Sequence, residues 1–196
     1  MFYNQRTLAG PVKCEGVGVH SGKPAKMVIK PAPPNHGIKF VRTDLMDHPS
    51  IPALFRMVTD TSMATVLGKD GVIVSTVEHI LACLAGLSVD NAVIELDSYE
   101  VPIMDGSALP FAEAISKAGI VEQDAKRFFF IIKKPLVIED GDRSVGNIPL
   151  SLIQDFLYHR LRSSPYRSTN HGHKSGKRPV YERDLHGQNI RVLPRI

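Results

Sequence analysis

The sequence predicts an α+β fold, a two-layer sandwich in which a mainly antiparallel sheet is covered by two helices. Three observations carry that expectation. The first 75 residues are rich in strand-like runs broken by turn residues. Two stretches with helical apolar spacing follow, over 76–85 and 108–118, with one buried strand between them. Strand and helix signals do not alternate strictly, which argues against a doubly wound parallel sheet.

The elements follow in order. Residues 12–15 read as a strand ending at Gly16. Residues 26–30 alternate apolar and polar and stop at Pro31, and 37–42 alternate again. Residues 63–67 and 72–74 flank Gly68-Lys69-Asp70-Gly71, a hairpin signal. The first helix carries Val77, Ile80, Leu81 and Leu84 at i, i+3, i+4 and i+7, and Gly86 is a natural stop. Residues 91–96 read as a buried strand. The second helix has Ser107 as N-cap, Pro110 in its first turn, Gly119 at its end, and an inner face of Phe111, Ala114, Ile115 and Ala118. Residues 127–133 read as a strand. Residues 136–139, then Asp140-Gly141, open a hairpin that returns through 143–145.

Length and composition bound the function. A chain of 196 residues has a length prior of one to two domains, and 43% hydrophobic residues suffice for a packed core. No apolar run approaches the roughly 18 residues of a membrane span. The start, Met1-Phe2-Tyr3-Asn4-Gln5-Arg6, is no signal peptide. Two cysteines, Cys14 and Cys83, give no disulfide framework, so a reduced, cytoplasmic protein is expected. The net charge of +4 is uneven. Residues 1–146 hold 15 Lys and Arg against 17 Asp and Glu, whereas 147–196 hold 9 against 3 and four of the eight histidines.

The most informative stretch is Ser75-Thr76-Val77-Glu78-His79, running into the first helix. Neighbours on a helix point about 100° apart, so a carboxylate and an imidazole there do different jobs. Zinc hydrolysis needs such a division: imidazole holds the ion, and a nearby carboxylate takes a proton from water. The rival reading is a capping box, with Ser75 as N-cap and Glu78 bonding back to it. His79 and Cys83 share a helix face, but Cys83 sits among Ile80, Leu84 and Leu87 and reads as a small buried hydrophobe. Gly16-Val17-Gly18 is no dinucleotide loop, because Ser21 stands where a third glycine belongs and Pro24 follows where a helix would open.

Three motifs, in these relative positions, resemble one family. They are Gly16-Val17-Gly18-Val19-His20-Ser21-Gly22, Thr76-Val77-Glu78-His79-Ile80-Leu81-Ala82 and Val101-Pro102-Ile103-Met104-Asp105-Gly106-Ser107-Ala108. The family is the UDP-3-O-acyl-N-acetylglucosamine deacetylases, zinc amidases of lipid A synthesis in Gram-negative bacteria. Gln5-Arg6-Thr7-Leu8 and Asp90-Asn91-Ala92 match as well, and the resemblance spans residues 4–146. It implies a two-domain enzyme, each domain a sheet with a pair of helices, with the active site between them. It implies a Zn2+ cofactor, a UDP-3-O-acyl-N-acetylglucosamine substrate, a monomer and no nucleic-acid partner. By the same resemblance, His79 is the first zinc ligand and Glu78 the general base. His20 lines the cleft near the metal, with turn stabilisation as its alternative. Asp105 either orients the metal site or caps a local turn. Met63 lies where the family borders its cleft, though ordinary packing is its simpler reading.

After Gly146 the pattern breaks. Residues 148–161 fit one short amphipathic helix, and the rest of 147–196 is polar and basic. This shift suggests a reading-frame change and an early stop, and a tail that is disordered; a natural basic extension that binds nucleic acid or anionic lipid is the alternative. The family's remaining zinc ligands come from a His-Lys-x-x-Asp segment, and its general acid from a later histidine. Here His173-Lys174 is followed by Lys177 where the aspartate belongs, so none of those roles carries over. A catalytic zinc site needs three protein ligands. The chain is therefore expected to be a truncated, inactive first domain covering 1–146, or a folding or binding unit without catalysis.

Overall fold

A computed structural model describes residues 4–129, 134, 136–140, 143–148, 156–161, 181–183 and 189–191. The chain divides into two compact units, residues 1–129 and 130–196.

The first unit contains ten strands and two helices. In chain order these are β1 (Asn4–Leu8), β2 (Val12–Val17), β3 (Pro24–Pro31), β4 (Ile38–Arg42), β5 (Ser50–Pro52), β6 (Val58–Asp60), β7 (Val66–Lys69), β8 (Val72–Val74), α1 (Glu78–Gly86), β9 (Ala92–Leu96), α2 (Leu109–Ala118) and β10 (Ile120–Lys126). One turn of 3-10 helix, Phe55–Met57, precedes β6. The main sheet has the order β2-β3-β9-β4-β5. Its pairs are antiparallel except β4 with β9. The α+β class and the antiparallel bias are as the sequence predicts.

Strand alternation explains the core. Along β3, Ala25, Met27 and Ile29 are buried while Lys26 and Lys30 face outward, because successive side chains point to opposite faces. Register places Met27 opposite Leu96 and Ile29 opposite Ile94, so both strands bury one face. Ile80 and Leu84 of α1, and Phe111 and Ile115 of α2, join the same cluster. Each is fully buried, and burying one such side chain stabilises by about 1.5–3 kcal/mol.

The β7–β8 hairpin turns at Asp70 (φ 50°) and Gly71 (φ 80°). Two left-handed residues in a row match the right-handed twist of the flanking strands, which is why an Asp-Gly pair sits there.

Three expectations in this unit are corrected, the first being the N-cap of α2, which is Ala108 and not Ser107. The strand near the end of this unit is Ile120–Lys126, not 127–133: Arg127–Phe129 is not a strand, and 130–133 lie outside the described residues. β10 was hidden because it is polar; it is held by backbone pairing with β1. The capping box does not form. Helix α1 starts at Glu78 with Val77 as N-cap, and the Ser75 amide donates to Tyr99 O.

In the second unit, β11 (Leu136–Asp140), β12 (Arg143–Ile148) and β13 (Phe156–Leu161) form an antiparallel sheet. The hairpin opened at Asp140 is thus present. The amphipathic helix expected over 148–161 is not formed at Phe156–Leu161, which instead pairs with β12 as a strand. β14 (Tyr181–Arg183) and β15 (Asn189–Arg191) make a separate ladder. The expectation of disorder for the tail falls otherwise on 149–155, 162–180, 184–188 and 192–196, which lie outside the described residues.

Candidate active site

Helix α1 brings Glu78 and His79 to its N-terminus, directly after a residue in unusual backbone geometry. Thr76 has φ 61°. A β-branched residue in the left-handed region costs of order 1–3 kcal/mol and persists only where its surroundings hold it. Here the holder is Glu100. The Thr76 hydroxyl donates to Glu100 Oε1 at 3.1 Å, and Ser75 bridges the same segment through Ser75 N to Tyr99 O and Val101 N to Ser75 O.

Glu78 is half-buried. Its Oε1 accepts the Thr65 backbone N–H at 3.0 Å. Its Oε2 is buried and has no hydrogen-bond partner among the described residues. A buried acceptor left open normally costs about 1–3 kcal/mol, so the atom is one to explain rather than a packing detail. His79 is half-buried beside it.

The other two motifs converge on this helix start. Glu100 is fully buried, and its carboxylate accepts the His20 N–H at 2.9 Å and the Ser21 N–H at 2.8 Å. His20 itself is exposed. Burial pushes the Glu100 carboxyl up, but the Ser21 hydroxyl, the two amides and the Thr76 hydroxyl outweigh it and hold the group below its ordinary 4.5. A Cβ on Gly18 would lie 2.6 Å from Glu100 Cδ, so only glycine leaves room for the carboxylate. Ile103 N donates to Val17 O at 2.9 Å, pinning the third motif against the first.

Asp105 forms the local cap. It accepts the Ser107 N–H at 2.9 Å and the Ser107 hydroxyl at 2.8 Å, and the Ser107 oxygen in turn accepts the Leu109 N–H. Its carboxyl is held below the usual range, chiefly by the Ser107 hydroxyl and amide, with the His79 charge a smaller cause. Met63 is 80% exposed, not packed. Cys83 is buried, and burial together with neighbouring Cys14 pushes its thiol to about 11, which suits a hydrophobe better than a ligand.

Sequence reasoning missed Glu100 and Thr65. Glu100 flanks the third motif directly, but one carboxylate before Val101-Pro102 carries no spacing signal. Thr65 contributes only a backbone N–H, which any residue but proline supplies.

One imidazole and one open carboxylate oxygen are the right chemistry for a zinc ligand and a base. Among the described residues no group of three His, Cys, Asp or Glu could hold a metal ion.

Comparison with known proteins gives the family. A family model described as UDP-3-O-acyl N-acetylglycosamine deacetylase matches residues 5–171. The chain is 54% identical over 147 residues to the UDP-3-O-acyl-N-acetylglucosamine deacetylase of Myxococcus xanthus, covering 75% of this chain and 47% of that protein. It is 50% identical over 145 residues to the enzyme of that name from Saccharophagus degradans, covering 74% and 48%. For the one from Shewanella pealeana the figures are 53% over 140 residues, 71% and 46%. The chain spans about half the length of the curated relatives it matches.

Proposed function

Because the chain belongs to the UDP-3-O-acyl N-acetylglycosamine deacetylase family, we propose that it carries the base and one metal ligand of a zinc-dependent amide hydrolase. The substrate is UDP-3-O-acyl-N-acetylglucosamine. Water adds across the acetamide C–N bond, and the products are acetate and the free 2-amine, a step of lipid A synthesis.

The observation that carries this reading is the open, buried Oε2 of Glu78 beside His79. Zinc, when bound, would act as a Lewis acid on the acetamide and make water acidic near neutral pH. His79 would hold it through a ring nitrogen. The Thr65 N–H fixes Glu78 by Oε1, leaving Oε2 to take the proton from the attacking water. By the family resemblance Asp105 would help orient the metal site, beside its cap on Ser107. By the same resemblance His20 would line the cleft near the metal.

Within this reading, residues 1–146 are the first domain of the enzyme and 147–196 a basic tail, although the family match runs on to residue 171. The other ligands and the general acid belong to the half of the relatives that the chain does not match, so the 196-residue chain alone is inactive. Among the described residues no helix is long and apolar enough to cross a membrane; a cytoplasmic monomer is the setting we assign.

The test is a chimera of residues 1–146 with the remaining part of the Myxococcus xanthus relative. It should release acetate from the UDP-linked substrate, and a chelator should abolish the release. A folded, zinc-loaded chimera that releases none would overturn the reading.

A further inference from the structure

We infer that Glu100 is the positioning residue of this site, clamping the turn that carries His20 to the segment that leads into Glu78 and His79. Its functional meaning rests on the reading of that face as the deacetylase site.

The geometry is a single carboxylate joining two separate motifs. Oε1 accepts from both His20 N and Thr76 Oγ1, and Oε2 accepts from Ser21 N. The side chain is fully buried. A buried charge is retained only where hydrogen bonds satisfy it, and here the donors come from both sides of the junction. The turn closes on itself as well, with Gly18 N to Lys23 O and Gly22 N to Gly18 O, both 2.9 Å. It therefore moves as a unit, and Glu100 fixes where that unit sits. Gly18 provides the space. Thr76 is held in its left-handed conformation by the same oxygen that holds His20, so the strain at the start of α1 and the placement of His20 share one anchor. The exposed His20 ring has its backbone tied to the site while its imidazole faces solvent, the arrangement of a side chain presented to a ligand.

Two features separate positioning from general stability. The carboxylate touches only the turn and Thr76 among its described hydrogen-bond partners outside its own segment. The main core is built from β3, β9, α1 and α2 and reaches the clamp only through the neighbouring Val77 and Val101. Loss of Glu100 charge should thus loosen the turn before it unfolds the sheet.

The test uses the 196-residue chain without metal or substrate. Glu100→Gln is compared with wild type by amide hydrogen exchange and by the imidazole carbon–proton resonances of the histidines. The expected result is about a tenfold or greater loss of protection at the His20 and Ser21 amides, with β3 and β9 amides unchanged, as for opening of one local unit. The His20 ring resonance should move or broaden while those of His36 and His48 stay in place. If Glu100→Gln does not fold, Thr76→Val removes the hydroxyl that donates to Glu100 Oε1 and should give a smaller change of the same kind. Unchanged His20 protection and ring resonance in a folded variant would overturn the inference. So would loss of protection spread evenly over the sheet. Neither readout involves turnover, so failure here leaves the Glu78 and His79 reading standing, and failure of the chimera leaves the clamp standing.

Discussion

Thr65 and Glu78 are joined by a backbone-to-carboxylate hydrogen bond of 3.0 Å, 13 residues apart in sequence. That bond decides between two roles for Glu78. A helix-capping glutamate would spend its oxygen on the N-terminal amides of its own helix. This one is tied instead to the segment before β7, and its second oxygen is left buried and open. The carboxylate is aimed rather than consumed.

Zinc affinity of the chain alone follows from the ligand count. One imidazole is a weak site, since closed or catalytic zinc sites use three or four protein ligands. Titration of the 196-residue protein should show only weak binding, and His79→Ala should abolish what His79 contributes. Tight stoichiometric binding that survives His79→Ala would show that the metal is held elsewhere.

Acid should destabilise the first unit through two carboxylates. Asp44 is lowered by the Arg42 guanidinium, which donates to it at 2.8 and 2.6 Å, and Glu100 is lowered by its donors against the effect of burial. A folded-state value below the unfolded one means that the unfolded chain binds more protons in that window. The contribution is complete above the ordinary carboxylate values and disappears as pH falls through the lowered ones. Urea midpoints from pH 7 down to pH 3 should fall, and Glu100→Gln should flatten the slope. An unaltered acid dependence in that variant would contradict the assignment.

The two thiols should be inert. Cys14 and Cys83 are buried and free, and burial raises both, Cys83 to about 11. The reactive form is the thiolate. An aromatic disulfide reagent at pH 8 should leave both unmodified in native protein and label both in denaturant. Rapid labelling of the native protein would mean that the α1–β2 side of the core opens.

Core truncation should be costly. Phe111 is fully buried where α2 meets the cluster. Phe111→Ala should lower unfolding free energy by about 3–5 kcal/mol, read by urea denaturation. A loss under about 1 kcal/mol would mean that α2 contributes little to the core.

Much of this was legible in the sequence, for physical reasons that differ by element. β3 and β9 were visible because burial on one face writes alternation into Ala25, Met27, Ile29 and Ala92, Ile94, Leu96. Helices α1 and α2 were visible from their apolar stripes. β10 was not, because an edge strand held by backbone bonds needs no apolar pattern. The motifs point to Glu78, His79, His20 and Asp105 but not to the contacts of Glu78 and His20. Those run through the Thr65 N–H and Glu100, which act across 13 and 80 residues and leave no local signature.

The central claim is that Glu78 takes the proton from water. Its most direct test is Glu78→Gln in the chimera with the second half of the Myxococcus xanthus relative, with zinc content and acetate release measured on the same sample. The variant should hold zinc as wild type does and lose about 10²–10⁴-fold in turnover, the usual scale for a general base. Near-normal acetate release by a zinc-loaded Glu78→Gln protein would leave Glu78 as a structural tether to Thr65 and contradict the account.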